Sequence, residues 1–202
     1  MSESDAHSGK PKGDKRARTR AALLDAALEL TRAKGFDRTT LADVAERAGM
    51  TTGAIYGNFK NRDELFMALA ERQWAPIRPK FKRGASFAEI MDALAEAVIA
   101  AIPERRLAAV GALTFRAYAL AHEAVRAEFK ARVGAGYDFG AEWFRDVCDE
   151  RDMPMPAEVL VRVINSLIEG LLFQRFLTDD LIGDEVIRAA FAALAGRGRA
   201  QG

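Results

Sequence analysis

Apolar residues recur at intervals of three and four along most of the chain, the spacing that gathers them on one face of an α-helix. The first such run begins near Lys15, includes Leu23, Ala27 and Leu30, and stops at Gly35, a residue type that commonly ends helices. Later runs are rich in Ala, Leu, Glu and Arg, and no sustained alternation typical of strands interrupts them. The pattern predicts an all-α protein with about nine helices.

Capping residues divide the next part of the chain into short helices. Thr40 and Asp43 have the spacing of a capping box, and Gly49 can end the helix that they begin. Thr51 can cap a third helix, and a fourth is predicted over residues 62–74. Two short helices joined by a glycine-containing turn are the layout of a helix-turn-helix.

Pro76 and Pro79 mark a junction after the fourth helix, because each lacks an amide donor and restricts the residue before it. Five longer helices are predicted beyond them, over about residues 87–101, 103–121, 122–151, 156–178 and 184–195. We therefore divide the chain into a disordered tail (1–14), a helix-turn-helix domain (15–62) and a helical bundle (63–202).

The charge of the chain is divided unevenly between its two parts. The whole sequence holds 30 basic and 29 acidic residues, a balance that by itself argues against a polyanion as partner. Residues 1–83 nevertheless contain 17 basic and 11 acidic residues, a net charge of +6, whereas residues 84–202 carry −5. This asymmetry favours an anion-binding N-terminal part, although a solvated basic tail would give the same count.

Several other classes of protein are excluded by what the sequence lacks. Cys148 is the single cysteine, so an intrachain disulfide and a Cys₄ or Cys₂His₂ zinc site are impossible. No apolar run approaches the roughly 20 residues of a membrane span, and the N-terminus lacks the apolar stretch of a signal peptide. Phosphate loops and G-x-S-x-G motifs are also missing. We expect a cytoplasmic protein that is not an enzyme and needs no metal or cofactor.

The third short helix has two different faces. Ile55 and Phe59 can pack into a core, whereas the other face offers small, hydrogen-bonding or charged groups that suit close contact with DNA. The candidates for contact with DNA on and beside this helix are Thr51, Thr52, Gly53, Tyr56, Gly57, Asn58, Lys60 and Arg62.

The stretch GFDRTTLADVAERAGMTTGAIYGNFKNRDEL resembles the DNA-binding signature of the tetracycline-repressor family of bacterial regulators. The resemblance covers about residues 16–69. It implies that phosphates or bases are contacted by Thr40, Thr51, Thr52, Gly53, Tyr56, Asn58 and Arg62. Two positions depart from the family pattern. Gly57 stands where an aromatic or polar side chain is usual, and Asn58 stands where His is usual, so a side-chain base contact at Gly57 is not expected.

The stretch NSLIEGLLFQRFL resembles the dimerisation helix of the same family. Apolar residues occupy nearly every side of the helix predicted around it, so it must be covered on all sides, either by a second chain or as the central helix of a monomer. The family resemblance favours a homodimer. The residues expected at the interface are Leu160, Ile164, Leu167 and Leu171.

The resemblance also implies that the bundle encloses a cavity for a small-molecule effector. The candidate lining residues are Trp74, Leu94, Val98, Phe115, Tyr118, Trp143, Phe144 and Phe173, with Arg116, His122, Asn165, Glu169 and Gln174 as polar partners. Each of them could equally be an ordinary core or surface residue.

The function that these features imply together is a ligand-responsive regulator, of the repressor type, that binds a palindromic double-stranded DNA operator as a dimer. The alternative is an all-helical dimeric interaction protein that does not bind DNA. It would leave the exposed face of the third helix and the division of charge without explanation.

Overall fold

The computed structural model describes residues 12–74 and 76–197, and within them it contains eight α-helices, one 3₁₀ turn and no strand. The all-α class is therefore confirmed. The elements are α1 (Lys12–Lys34), α2 (Leu41–Arg47), α3 (Thr52–Tyr56), α4 (Arg62–Gln73), α5 (Phe87–Ala121), α6 (Glu123–Val147), the 3₁₀ turn (Glu150–Asp152), α7 (Ala157–Leu177) and α8 (Asp184–Arg197). Residues 1–11 of the predicted tail lie outside the described residues. Helix α1 begins at Lys12, before its predicted start at Lys15.

Two helices predicted on either side of Pro103 form one continuous helix, α5. A proline inside a helix removes one main-chain hydrogen bond but does not have to end the helix. Buried residues on both sides of Pro103, among them Val98 and Ala108, keep both halves of α5 packed. The prediction of a break at this proline was wrong, because tertiary packing outweighs the local cost.

The chain divides into two compact units between Arg72 and Gln73. We call residues 12–72 the head and residues 73–197 the body. The sequence-based boundary after Arg62 lies before α4, whereas the observed division places nearly all of α4 in the head.

The head is held together by a small apolar core. Phe36 packs edge-on against Phe66, with ring centroids 4.8 Å apart. Side chains from all four helices of the head join this core and are almost completely buried: Leu23, Ala27, Val44, Ala45, Ile55, Phe59, Leu65 and Leu69. The core therefore includes both helices of the predicted helix-turn-helix.

The turn between α2 and α3 is set by Gly49, whose φ of 65° belongs to the left-handed region. The amide of Gly49 donates to the oxygen of Glu46 at 3.0 Å, and the amide of Met50 donates to the oxygen of Ala45 at 2.8 Å. These two bonds form a Schellman motif, which satisfies the last carbonyls of α2 and reverses the chain toward α3.

The body is a bundle in which α5 packs against α8 and α6 packs against α7. A capping box between Ser86 and Glu89 begins α5. Buried side chains of the four helices form one core, which includes Ile90, Met91, Leu94, Val98, Phe144, Leu160, Ile164, Leu172, Ile187 and Phe191.

Candidate nucleic-acid interface

The helix α3 is anchored on one side and open on the other. Ile55 and Phe59 are buried in the core of the head, and Thr51 caps α3 by accepting a hydrogen bond of 3.2 Å from the amide of Ala54. The opposite side is exposed to solvent and consists of Thr51, Thr52, Gly53, Tyr56, Gly57 and Lys60. With 57% of its surface accessible, the Tyr56 side chain stands clear of the head. The two-faced pattern expected from the sequence is confirmed.

Thr40 occupies the corresponding position at the start of α2. Its hydroxyl accepts from the amide of Asp43 at 3.1 Å, and the Asp43 carboxylate accepts from the amide of Thr40 at 2.9 Å. Because these hydroxyls act as acceptors in their caps, Thr40 and Thr51 each retain a hydrogen that can be donated to a phosphate oxygen. The caps therefore position two exposed hydroxyl donors, one on each helix.

A lysine on α1 secures the first of these caps. Lys34 Nζ donates to Asp43 Oδ2 at 2.7 Å. This bond, with the amide of Thr40, lowers the pKa of the Asp43 carboxyl to about 2. The capping carboxylate is consequently ionised at any pH near neutrality, and it links α1 to α2.

Asn58 is turned inward rather than toward the open face. Its Nδ2 donates to the main-chain oxygen of Ala54 at 2.8 Å, and its Oδ1 is buried with no hydrogen-bond partner among the described residues. One of the two Nδ2 hydrogens is thus used at the end of α3, and the second remains to be donated. The contact with DNA implied for Asn58 stays a prediction.

Arg62 is likewise committed within the head. Its Nε donates to the oxygen of Thr39 at 3.0 Å, its Nη2 donates to the oxygen of Phe36, and the guanidinium lies 5.0 Å from the ring centroid of Phe66. These contacts join the start of α4 to the loop before α2. These bonds give Arg62 a positioning role within the head, and the phosphate contact implied for it stays a prediction.

Arg20 contacts the end of α3, a role that the sequence did not reveal. Its Nη1 donates to the main-chain oxygen of Asn58 at 2.8 Å, and its guanidinium lies 4.3 Å from the ring centroid of Phe59. Arg20 therefore braces the end of α3 from α1. Sequence reasoning finds it only as part of the basic N-terminal charge, since the contact joins residues far apart in the sequence.

Most of the predicted effector-cavity residues turn out to be core or to have local partners. Leu94, Val98, Phe115 and Phe144 are almost completely buried. Trp143 packs edge-on against Phe144 and Phe81, and Tyr118 lies against His122, whose ring centroid is 4.0 Å away. Among the predicted polar partners, His122 and Gln174 are exposed, and Asn165 donates to the Tyr137 hydroxyl at 3.3 Å.

Four of the predicted residues do meet, around the indole of Trp74. Phe173 stacks on Trp74, with centroids 5.2 Å apart and an angle of 7° between the planes. The guanidinium of Arg116 lies 5.3 Å from each of these two rings and binds the carboxylate of Glu169. A fifth member is Arg105, only 7% exposed, with its guanidinium 4.5 Å from the Trp74 centroid. We call these five residues the Trp74 cluster.

The sequence does contain a signal for Arg105. Helical spacing places it on the same face as Val98, Ala108 and Ala112, all of which are buried. A charged residue on an apolar face is the informative exception in such a pattern. Its neighbours Glu104 and Arg106 are exposed, and the run of three charges makes it look like ordinary surface.

The predicted interface residues of α7 fall into two groups. Leu160 and Ile164 are 0% and 5% exposed and belong to the core of their own chain, so they have no surface left for a second chain. Leu167 and Leu171 are half-buried and still offer surface. The exposed side of α7 is instead formed by Val159, Arg162, Ser166, Gly170, Gln174 and Leu177.

Neither a metal site nor a membrane span is found in the part of the chain that the structure describes. Its His, Cys, Asp and Glu side chains form no group of three suited to a metal ion. None of its helices combines the length and apolar character needed to cross a bilayer. Cys148 is half-buried, and this burial raises the pKa of its thiol, which disfavours the reactive thiolate.

Comparison with known proteins agrees with the geometry of the head. Residues 23–69 match the family model described as "Bacterial regulatory proteins, tetR family". The HTH-type transcriptional regulator TtgR of Pseudomonas putida is 51% identical over 53 residues, which cover 26% of this chain and 25% of TtgR. The chain therefore spans only about a quarter of the length of this curated relative.

Solved structures resemble the chain over nearly its whole length. Native NalD, the secondary repressor of the MexAB-OprM multidrug efflux pump in Pseudomonas aeruginosa, has a TM-score of 0.61 at 24% identity, covering 91% of this chain and 97% of NalD. The multidrug binding protein EbrR, complexed with imidazole, has a TM-score of 0.62 at 20% identity, with coverage of 95% and 97%. These likenesses concern the fold.

A capped α2, a Schellman turn and an α3 with one buried and one exposed face define a helix-turn-helix protein. Over residues 23–69 the head is similar to the tetR family of bacterial regulatory proteins, and the solved structures share the fold of the chain.

Proposed function

We propose that this protein is a ligand-responsive transcriptional regulator that binds double-stranded DNA as a homodimer and acts as a repressor. The observation that carries this proposal is the exposed face of α3 above the buried Ile55 and Phe59. A helix fixed in this way can enter the major groove without losing its packing. The proposal includes no catalytic role, in keeping with a family of regulators.

Each exposed group of the face has a suitable task on DNA. The hydroxyls of Thr40, Thr51 and Tyr56 can donate to phosphate oxygens, which fixes the position of the head on the duplex. Thr52 stands in the first turn of α3, where its methyl and hydroxyl groups can contact base edges. Gly53 has no side chain, so the main chain of α3 can approach the groove closely.

The division of charge supports the same partner. The net charge of +6 over residues 1–83 attracts the phosphates, and Lys60 adds an exposed ammonium beside α3. The net charge of −5 over residues 84–202 disfavours binding of phosphates by the body. Such a protein requires access to the bacterial chromosome, so we place it in the cytoplasm.

A homodimer would present two recognition helices to a palindromic site, with half-sites roughly 34 Å apart. The surfaces best suited to the dimer contact are the exposed sides of α7 and α8. Ser166 and Gly170 on α7 are small, and α8 exposes small residues as well: Ala189, Ala192, Ala193 and Gly196. Small side chains allow helices of two protomers to approach closely, while the half-buried Leu167 and Leu171 would supply apolar contact.

Release from DNA is proposed to follow from binding of a small molecule in the body. Such a ligand acts by binding better to a form of the dimer that does not fit the operator. EbrR, which has the same fold, is described as a multidrug binding protein, and NalD as a repressor. Both descriptions support a ligand-responsive repressor.

Binding to fluorescent DNA, measured by anisotropy at two salt concentrations, tests this proposal. The expected result is sequence-selective binding that weakens steeply with salt, because phosphate contacts release counterions. A dimer that binds no DNA selectively would favour the alternative, an all-helical interaction protein.

A further inference from the structure

The first helix extends well beyond the core of the head. Helix α1 begins at Lys12, but the first of its described side chains to be buried in this core is that of Leu23. At 1.5 Å per residue, about 16 Å of helix therefore precedes the core. We call residues 12–19 the α1 extension. Its residues 15–18 are exposed, so packing within the head does not account for them.

One side of α1 changes from apolar to basic where the helix leaves the core. Leu23 and Ala27 lie on this side and are completely buried. Helical spacing continues the same side through Arg20 to Arg16. The Arg20 side chain still has partners in the head, whereas Arg16 is exposed. The side of α1 that packs inside the head therefore ends in a cation that faces solvent.

Arg20 fixes the start of this basic segment at the end of α3. Its Nη1 donates to the main-chain oxygen of Asn58 at 2.8 Å, and its guanidinium lies 4.3 Å from the ring centroid of Phe59. Arg16 stands one turn further from the core, about 6 Å along the axis of α1. The exposed Lys60 follows closely after Asn58 in the chain. The exposed cations of the α1 extension thus begin where α3 ends.

The charge of this segment points to a polyanion as its partner. Residues 10–20 contain six basic residues and a single acidic one, Asp14. Arg16 comes four residues after Lys12 and four before Arg20, and like charges at this spacing destabilise a helix. Phosphates that bind the segment would relieve the repulsion.

An anionic membrane surface could neutralise the same charges, but the composition of the α1 extension does not suit it. A helix that lies on a membrane needs an apolar face. Residues 12–20 read KGDKRARTR and contain one apolar side chain, that of Ala17. DNA requires no apolar face, since its phosphates and its minor groove attract cations. Double-stranded DNA is therefore the partner that fits.

We infer that the α1 extension binds the DNA minor groove beside the half-site that α3 reads, with Lys15 and Arg16 as the contacting residues. The inference rests on the proposed function, because it extends the contact made by the same head. Neighbouring major and minor grooves lie about 17 Å apart along the duplex, half of a helical turn of roughly 34 Å. The length of helix that precedes the core matches this distance. Since narrow minor grooves of A·T sequences attract arginine, the flanks of the site should favour A·T pairs.

Anisotropy with two fluorescent duplexes of equal length tests this preference in the full chain. One duplex contains A-tracts, and the other contains only G·C pairs. We expect the parent to bind the A-tract duplex at least about threefold more tightly. The double variant Lys15→Gln/Arg16→Gln should lose this preference and reduce the salt slope by about two per protomer. Equal affinities of the parent for both duplexes, or a double variant that behaves like the parent, would overturn the inference.

Arg78→Gln/Lys80→Gln is the matched control. It removes one exposed arginine and one exposed lysine as well, but from the body. The control should keep the preference and the salt slope of the parent, and an equal loss in the control would contradict a specific contact by the α1 extension. Both double variants should unfold in urea like the parent, because all four side chains are exposed.

Competition with netropsin, which fills the minor groove of A·T sequences, is a separate readout. Netropsin should weaken binding of the A-tract duplex by the parent at least about threefold and leave that by Lys15→Gln/Arg16→Gln within about twofold. An equal effect on both proteins would contradict contact in the minor groove. Vesicles of anionic lipid are tested in parallel. Binding to vesicles that depends on Lys15 and Arg16, without a preference for A-tracts, would overturn the inference in favour of a membrane.

Selection from a random DNA library separates this inference from the proposed function. If the parent enriches a palindrome but has no preference for A-tracts, only the inference fails. If the parent enriches no sequence, yet its preference for A-tracts depends on Lys15 and Arg16, only the proposed function fails.

Discussion

Arg62 Nε, at the first residue of α4, donates a hydrogen bond of 3.0 Å to the main-chain oxygen of Thr39, the residue before the cap of α2. The same guanidinium also donates to the oxygen of Phe36 and lies over the ring of Phe66. One side chain therefore fixes α4 and α2 relative to each other. Arg62 thereby holds the head in shape.

Removing the charge of Arg62 should therefore affect the stability of the protein, whereas removing that of Lys60 should affect DNA binding. Arg62→Gln is expected to lower the free energy of unfolding by about 1–3 kcal/mol, because two buried carbonyls lose a charged donor, with no change in the salt dependence of DNA binding. Lys60→Gln should leave stability unchanged and reduce the salt slope by about one per protomer. Urea unfolding and anisotropy over a salt series measure both quantities. A stable Arg62→Gln protein with a reduced slope would show that Arg62 contacts a phosphate.

Removal of the Tyr56 hydroxyl tests whether the exposed face of α3 contacts DNA. Tyr56→Phe removes only the hydroxyl of a side chain that is clear of the core, so the fold should be unaffected. Loss of one hydrogen bond to a phosphate should weaken DNA binding by about five- to tenfold per protomer. Anisotropy with one fixed DNA duplex measures this change. Unchanged affinity would mean that the hydroxyl does not touch the DNA.

The cap of α2 predicts an unusual acid titration. With the pKa of Asp43 at about 2 in the folded head, below its unfolded value of about 3.9, the carboxylate contributes stability above that unfolded pKa. The contribution is lost as the pH falls from there through about 2. NMR titration should therefore find a midpoint near 2 in the parent and a higher midpoint in Lys34→Met, which removes the strongest hydrogen bond. An ordinary midpoint in the parent would contradict the cap geometry.

Gly170 tests the dimer contact proposed for α7. A side chain built at Gly170 would meet no described atom within 4 Å, so Gly170→Arg should fold and should even gain helix propensity. In a close dimer the same side chain would separate the partners, and the dissociation constant should rise by at least about tenfold.

Gly136→Arg is the matched control for this variant. Gly136 is exposed on α6 and equally open, but it lies outside the proposed interface, so its variant should remain dimeric. Sedimentation equilibrium measures the mass of each protein. If Gly170→Arg remains dimeric, the interface lies on another surface. A monomeric parent would refute the dimer.

The features of the candidate site that depend on neighbouring residues were predicted well from the sequence. The caps at Thr40 and Thr51 and the burial of Ile55 and Phe59 depend on residues a few positions apart, so spacing alone identifies them. The inward turn of Asn58 is local too, but it depends on a choice of rotamer that spacing does not encode.

Long-range contacts account for what the sequence could not provide. The roles of Arg20 and Arg62 depend on partners more than twenty residues away. Leu160 is buried in the core of its own chain. Its apolar helix predicts burial, but the sequence does not indicate whether the same chain or a second chain buries it. Continuity of α5 through Pro103 also depends on packing against the rest of the body.

Selection of double-stranded DNA from a random library by the full chain, with Thr52→Ala as the matched variant, tests DNA reading by α3 most directly. We predict that the parent enriches a palindrome whose half-sites are about one helical turn apart, and that Thr52→Ala, which leaves the cap at Thr51 intact, enriches a changed or degenerate half-site. No enriched sequence for the parent, or identical sequences for parent and variant, would contradict recognition through this face.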